Sequence, residues 1–418
     1  MVPLDRDYAE QLDAADPLAR FRDAFVRADE SLIYLDGNSL GPLPRSTQAR
    51  IAEVVAAEWG AGLVRSWGRW VDLPRQTGDL IGQHLTGAAP GQILVGDSTT
   101  VNLFKLANAA MDARPLRTVI VTDDDNFPTD RYVLEGIARQ RDCELRMVRT
   151  DMDEGLSEEA LAGALAPDVA LVSLSHVAYR SGALCDMARI TQLVHDAGAL
   201  MLWDLCHSVG AVPVELDASG ADLAIGCTYK YLNAGPGSPA FLYVRREFQE
   251  RLTQPIWGWF GQADQFAMGP GYDPVPGIER FATGTPEIIG TVAVAEGVKL
   301  LADAGIERLR EKGVALTRYL IQLADRWLEP HGFRLASPRA DARRGSHVTL
   351  YHPHAWQVSQ ALVAAGVIGD YRTPDRLRLG PVPITTRFCD VWDALDRLRK
   401  VAADGTYADL PAERARVT

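Results

Sequence analysis

Asp204, His207 and Lys230 are the residues whose types and spacing first suggest chemistry. Asp204 follows the apolar run Ala199 to Trp203 (ALMLW), His207 stands three residues on, and Lys230 comes just after the short run Leu223 to Gly226 (LAIG). An acid and an amine at neighbouring strand ends, facing one crevice, are what a pyridoxal phosphate (PLP) site needs. The lysine attaches to the cofactor aldehyde, and the carboxylate keeps the pyridine nitrogen protonated so that the ring can draw electrons. For a lone Asp and Lys, solvated loop charges are the commoner explanation. The strand context and the flanking Thr228 and Tyr229 favour the chemical one.

A phosphate needs donors. Ser98, Thr99 and Thr100 precede the amphipathic stretch VNLFKLANAAMDA, so hydroxyls and free backbone N–H groups would converge at the positive end of a helix; a plain N-cap is the simpler alternative. No G-x-x-x-x-G-K-[ST] or strand-linked G-x-G-x-x-G is present, and GPGSP at Gly235 to Pro239 reads as a turn. In NFPTD, Asn126 to Asp130, Phe127 could stack on a flat ring and Asp130 could meet its polar edge, against the alternative of an ordinary loop. Five cysteines without a C-x-x-C pair read as packing groups rather than disulfides or thiolate ligands. The histidines outside this region show no ligand spacing, so no metal is expected.

These residues need a scaffold of strands ending on one edge. β-rich runs stand at Thr118 to Thr122, Val169 to Leu174, Ala199 to Trp203, Leu223 to Gly226 and Ala240 to Val244, with helix-length amphipathic stretches such as Met187 to Ala197 between several of them. Near-continuous apolar strands alternating with helices imply an α/β fold with a mostly parallel sheet covered on both faces, and ligands at the carboxyl ends of its strands. One long helical pattern runs from Ile288 to about Leu328 and leads to a strand at His347 to Tyr351 and helices at Ala355 to Ala365 and near Phe388 to Ala402. Asp16 as cap and Pro17 at the first helical position predict a helix to about Ala28. The segment after it, SLIYLDGNSLG, is expected to pack with the C-terminal part. The expected division is residues 1–45 as an N-terminal segment, 46–300 as a large α/β domain and 301–418 as a small α+β domain.

At 418 residues, the chain can bury a large core. The net charge of −12 disfavours a nucleic-acid partner, and no apolar run is long enough for a membrane span. The first ten residues mix Asp5, Arg6, Asp7 and Glu10 without an apolar stretch, so no secretory signal is expected and the cytoplasm is the expected location.

The ordered series STTVNL, NFPTD, YRSGAL, WDLCHSVG, CTYKYLNAGPGSPAF, GWFG, GIERFATGTPEI and RLRLGPVP resembles the kynureninase family, fold-type-I PLP enzymes of the aminotransferase class V group. YLDGNSLGPLP at Tyr34 to Pro44 resembles that family's N-terminal motif, and the likeness runs from about residue 30 to about residue 400. It implies a seven-stranded central sheet and hydrolysis of L-kynurenine, or its 3-hydroxy derivative, to an anthranilate and L-alanine. It further implies that Lys230 holds the PLP aldehyde, Asp204 pairs with the pyridine nitrogen, and His207 and Ser175 lie beside the cofactor. Phe127, Pro128, Thr129 and Asp130 would adjoin the ring, and Thr99, Thr100 and Tyr229 the phosphate, with Tyr229 also a candidate proton donor. Trp259 and Thr285 would reach the phosphate region of a second subunit, making the unit a homodimer. Arg378, with Asn38 and Ser39, would bind the amino-acid substrate, Arg378 clamping its α-carboxylate. Gln262 stands where many bacterial relatives carry a histidine, which bears on the aryl pocket. The rival functions are a cysteine desulfurase-like lyase or aminotransferase of the same class, and a non-catalytic binding protein retaining the fold.

Overall fold

The computed structural model describes residues 4–27 and 29–413. A two-residue strand, β1 (Ile33–Tyr34), precedes the seven strands of the central sheet: β2 (Ile93–Val95), β3 (Val119–Asp123), β4 (Glu144–Val148), β5 (Val169–Ser175), β6 (Leu200–Asp204), β7 (Leu223–Gly226) and β8 (Phe241–Val244). Their order is β2-β8-β7-β6-β5-β3-β4, and β8 alone runs against the rest. Alternation explains why the runs are apolar throughout: Leu200 and Leu202 of β6 face one core with Leu223 and Ile225, while Met201 and Trp203 face the other with Ala224. Helices Thr99–Asp112 and Pro128–Arg141 cover the first face through Leu103, Leu106, Leu134 and Ile137. Helices Met187–Asp196 and Ile288–Ala304 cover the second through Ile190, Val194, Val294, Val298 and Leu301. Trp203 is fully buried, and its indole N–H donates to Thr191 Oγ1 at 3.1 Å, so its large apolar surface is buried without an orphaned donor.

The C-terminal region has its own antiparallel sheet, ordered β12-β13-β10-β9, from β9 (Arg334–Leu335), β10 (Val348–Tyr351), β12 (Asp370–Arg372) and β13 (Arg376–Leu379). β11 (Val367–Ile368) pairs instead with β1, in parallel, Ile33 opposite Val367. Ala9, Ile33 and Leu35 consequently belong to the same core as Leu316, Leu350 and Leu377.

Two sequence expectations need correction. Where a helix was expected from Asp16 to Ala28, there is a short 3-10 turn, Ala19–Ala24; the Asp16 carboxylate accepts from Leu18 N and pairs with Lys312. The expected end at Ala28 lies outside the described residues. The helix of this region is instead Arg6–Ala14, capped by Asp5, whose side chain accepts from Tyr8 N at 2.9 Å. The pattern read as one helix from Ile288 to Leu328 is two, Ile288–Ala304 and Ile306–Trp327, divided at Gly305, whose φ of 82° no helix accommodates.

Candidate active site

Parallel strands put their carboxyl ends on one edge, and β5, β6 and β7 deliver Ser175, Asp204 and the segment Cys227–Lys230 there. A cavity of about 540 Å³ opens at this edge, lined among others by Thr99, Thr100, Phe127, Thr129, Asp130, Asp204, His207, Tyr229 and Lys230. Thr99 and Thr100 begin helix Thr99–Asp112, and Ser98 is its cap, accepting from Val101 N at 3.3 Å. The N-cap alternative therefore holds for Ser98 and leaves both threonines facing the cavity at the positive helix end.

Lys230 Nζ lies 2.9 Å from His207 Nε2 and 5.8 Å from the centre of the Phe127 ring. His207 is buried, and burial, followed by the Lys230 charge, holds its pKa well below the ordinary histidine value. It is thus a neutral imidazole accepting from the lysine at Nε2; its Nδ1 has no hydrogen-bond partner. Asp204 is anchored by Cys206 N, which donates to Oδ1 at 2.7 Å, and Ser175 Oγ lies 3.4 Å from its Oδ2. Asp130 is buried beside it, and burial first, the Asp204 charge second, raise its carboxyl well above the ordinary range. Of two carboxylates so close, one keeps its proton.

Not every expected residue reaches this cavity. Ser175 sits behind Asp204 with its hydroxyl 2.8 Å from Asn126 Oδ1, and Pro128 opens helix Pro128–Arg141 without lining the space. Asn126 had no expected role, yet its Oδ1 also accepts from Phe127 N at 2.7 Å, which fixes the start of the loop bearing the aromatic ring. That ring stands edge-on to Tyr179, with 5.3 Å between centroids. Trp259 is 46% exposed and packs on Phe260 and Phe266. Thr285 lines a second cavity, about 470 Å³, with Gln262, Phe260 and Lys105; Asp97 and Glu287 border both cavities. Within one chain, Trp259 and Thr285 are not brought to Lys230.

Arg378 lies on β13, 1% exposed, and its guanidinium is largely engaged. Nε donates to Asp370 Oδ1 at 2.8 Å, Nη2 to Asp370 Oδ2 and to Ser39 Oγ at 2.9 Å, and Nη1 to the Tyr179 carbonyl at 2.6 Å. The Asn38 amide, turned with its oxygen inward, accepts from Nη2 and Nε at 2.9 and 2.6 Å. Asn38, Ser39 and Arg378 therefore form one cluster, with a carboxylate of the chain itself on the arginine fork. Asp370 gave no sign in sequence, because its pairing depends on the β12-β13 register that sets it opposite Arg378. Asp36 completes the cluster, its carboxyl pushed up to about 7 by burial and by Asp370. The segment is fastened to the lysine loop by Gly41 N, which donates to the Tyr229 carbonyl at 2.8 Å.

None of the five cysteines is exposed; Cys206 and Cys227 are buried at strand ends. Both line the cavity, held by hydrogen bonds at the strand ends rather than carried on a mobile loop, where a desulfurase needs its nucleophile. Across residues 309–398 the chain matches the family model of the kynureninase C-terminal domain. It is 46% identical to a kynureninase of Burkholderia pseudomallei over 99% of both chains. The chain belongs to the kynureninase family. A kynureninase of Pseudomonas fluorescens is 45% identical over 95% of each chain. Among solved structures, the apo cysteine desulfurase of Thermococcus onnurineus superposes with a TM-score of 0.78 at 19% identity, covering 94% of this chain and 98% of that one. A mutant of the lyase C-DES with glycine covalently linked to its PLP cofactor gives 0.76 at 17%, covering 88% and 97%. These likenesses establish the fold-type-I architecture that the kynureninase family shares with them.

Proposed function

We propose that the chain is a PLP-dependent hydrolase that cleaves the Cβ–Cγ bond of L-kynurenine, or of its 3-hydroxy derivative, to give an anthranilate and L-alanine. The observation that carries this is the meeting of Lys230, His207, Asp204 and the exposed face of Phe127 in one cavity of a chain 46% identical to kynureninases. The cavity's donor set fits PLP: a buried carboxylate for a ring nitrogen, an amine for an aldehyde, an aromatic face and a helix N-terminus with two hydroxyls. Bound there, PLP supplies an electron sink for carbanions formed at the substrate's α- and β-carbons.

Lys230 would hold the cofactor aldehyde, and its free amine would act as general base at the substrate's α-carbon. The neutral imidazole of His207 takes a hydrogen bond from the amine and keeps it near that carbon. Asp130, raised by burial and by its neighbour's charge, keeps its proton, and Asp204 is the carboxylate that would meet the ring nitrogen. Thr99, Thr100 and Tyr229 hold the phosphate end, Tyr229 also serving as proton donor to the leaving carbon. The Asn38 amide N–H and the N–H of Arg378 Nη1 left over by Tyr179 receive the α-carboxylate, while Ser39, whose hydroxyl donates to Asp370 Oδ2 at 3.0 Å, and Asp370 fix the plane of the guanidinium. Trp259 and Thr285 complete the phosphate region of a second copy, the working unit is a homodimer, and the protein acts in the cytoplasm. The exposed Trp257, Trp259, Phe266 and Met268 on one loop support such an interface. No helix of the described residues is long and apolar enough to cross a membrane.

Lys230→Ala tests the reading. It is expected to abolish both the visible absorbance of bound PLP and the release of anthranilate from kynurenine; survival of both refutes the assignment.

A further inference from the structure

Two thiols on the wall of the main cavity have no part in the chemistry above. The parallel ladder of β6 and β7 ends with Asp204 opposite Ile225, and just beyond it the chain brings Cys206 and Cys227 into contact. The hydrogen bonds agree: Leu205 N donates to the Ile225 carbonyl at 2.8 Å, Cys227 N donates to Cys206 Sγ at 3.1 Å, and Cys227 Sγ lies 3.8 Å from the Cys206 carbonyl. Neighbouring strands run about 4.7–4.9 Å apart, and a disulfide spans Cα separations of about 4.4–6.8 Å. The contacts of each sulfur with the other residue's backbone make the two thiols near neighbours.

Both thiols line the cavity, so a small oxidant reaches them through the opening that admits a cofactor. Their environments also divide the labour. Burial works against ionisation of Cys227, but its hydrogen bond with Cys206, the Lys230 charge and the Tyr229 hydroxyl outweigh it, and the thiol is shifted below its ordinary value. Cys206 is shifted the other way, by the same hydrogen bond and by burial. One sulfur is the readier nucleophile and the other stands beside it to resolve the product.

We propose that Cys206 and Cys227 form a reversible oxidation site, joined in a disulfide by a hydroperoxide that enters the cavity when it holds no cofactor. The Cys227 thiolate attacks one peroxide oxygen, the O–O bond breaks, and a sulfenic acid forms while the other oxygen leaves and is protonated to water. Cys206 then attacks the sulfenic sulfur, the S–S bond forms, and the second oxygen leaves as water. Two thiols and one hydrogen peroxide give one disulfide and two waters; the two electrons lost by sulfur reduce the peroxide. The cross-link ties the backbone N–H that anchors Asp204 to the chain three residues before Lys230. That bound PLP covers the pair rests on the functional reading above; the cross-link itself does not.

The test uses the full chain, freed of cofactor with a carbonyl reagent and treated with hydrogen peroxide. Trypsin releases residues 190–230 as one peptide containing Cys206 and Cys227 and no other cysteine. The expected result is that this peptide loses two hydrogens and resists alkylation, that free thiols fall from five to three, and that dithiothreitol restores them. Prior saturation with PLP is expected to slow the loss at least tenfold. A peptide that stays fully alkylatable, or is oxidised to sulfinic acids without cross-linking, overturns the proposal, and equal rates with and without bound PLP overturn the covering role. Cys206→Ser and, separately, Cys206→Ala should leave Cys227 as a trappable sulfenic acid; a Cys227 that stays a free thiol under the same peroxide in both variants would overturn the proposal. A chain that cross-links yet never binds PLP sinks the functional reading instead.

Discussion

Replacing Asp36 by asparagine should make the protein more stable as pH rises. The Asp36 carboxyl is mostly buried, next to Asp370, and these two causes outweigh Arg378 and Ser39 and carry its pKa from 3.8 to about 7. In the unfolded chain the same group loses its proton near the ordinary value. Between about pH 4 and about pH 7, therefore, the folded state binds a proton that the unfolded state has released, and stability falls with rising pH. A separation of about 3 pH units at about 1.4 kcal/mol per unit makes the full loss on the order of 4 kcal/mol above pH 7. Asparagine has nearly the same shape and nothing to titrate. Its intrinsic cost or gain is independent of pH, so the readout is the slope of the difference between the two proteins. Urea unfolding of both from about pH 4 to about pH 8 should show the variant gaining about 1.4 kcal/mol per pH unit and levelling near pH 7. A difference that stays flat, or that moves in favour of the native aspartate, would refute the reasoning and mean that Arg378 keeps Asp36 ionised in the fold.

Two further outcomes follow from the same region and its surroundings. A Cβ at Gly380 would stand 1.5 Å from the Asn38 side chain, so Gly380→Ala should push Asn38 off Arg378 and raise KM for kynurenine by about 10- to 100-fold, the worth of a hydrogen bond to a charged group, with a smaller change in kcat; steady-state kinetics checks it. Lys312→Met removes the cation 2.5 Å from the buried Asp16 carboxylate and should cost about 3–5 kcal/mol in urea unfolding, much of it recovered when Asp16→Asn is added.

The central strands were legible because each is buried on both faces and leaves an uninterrupted apolar run. β4 was not: it lies at the sheet edge, and its Glu144 and Arg146 answer to solvent and to each other rather than to a core. β2, three residues long, is too short to carry a period. The Asp16-Pro17 pair misled because the carboxylate that would cap a helix is claimed by Lys312, 296 residues away. In the site, Asp204, His207 and Lys230 could be found because local spacing after strands places all three. Asp370 and Asn126 could not, since each matters through a partner that only the packed chain brings near.

The pairing of β1 with β11 has a consequence for how the molecule comes into being. Ile33 and Val367 are separated by 367 − 33 = 334 residues of synthesis, which at about 5–20 residues per second means that the early segment waits roughly 20–70 s on the ribosome for the strand it docks on. The cofactor side of the cavity draws its central strands from residues 93–244 and can condense in the meantime. Asn38 and Ser39 are made among the first and installed among the last, so a nascent chain halted before β11 would own the Lys230 cavity and none of the Arg378 cluster to which we assign the substrate's carboxylate.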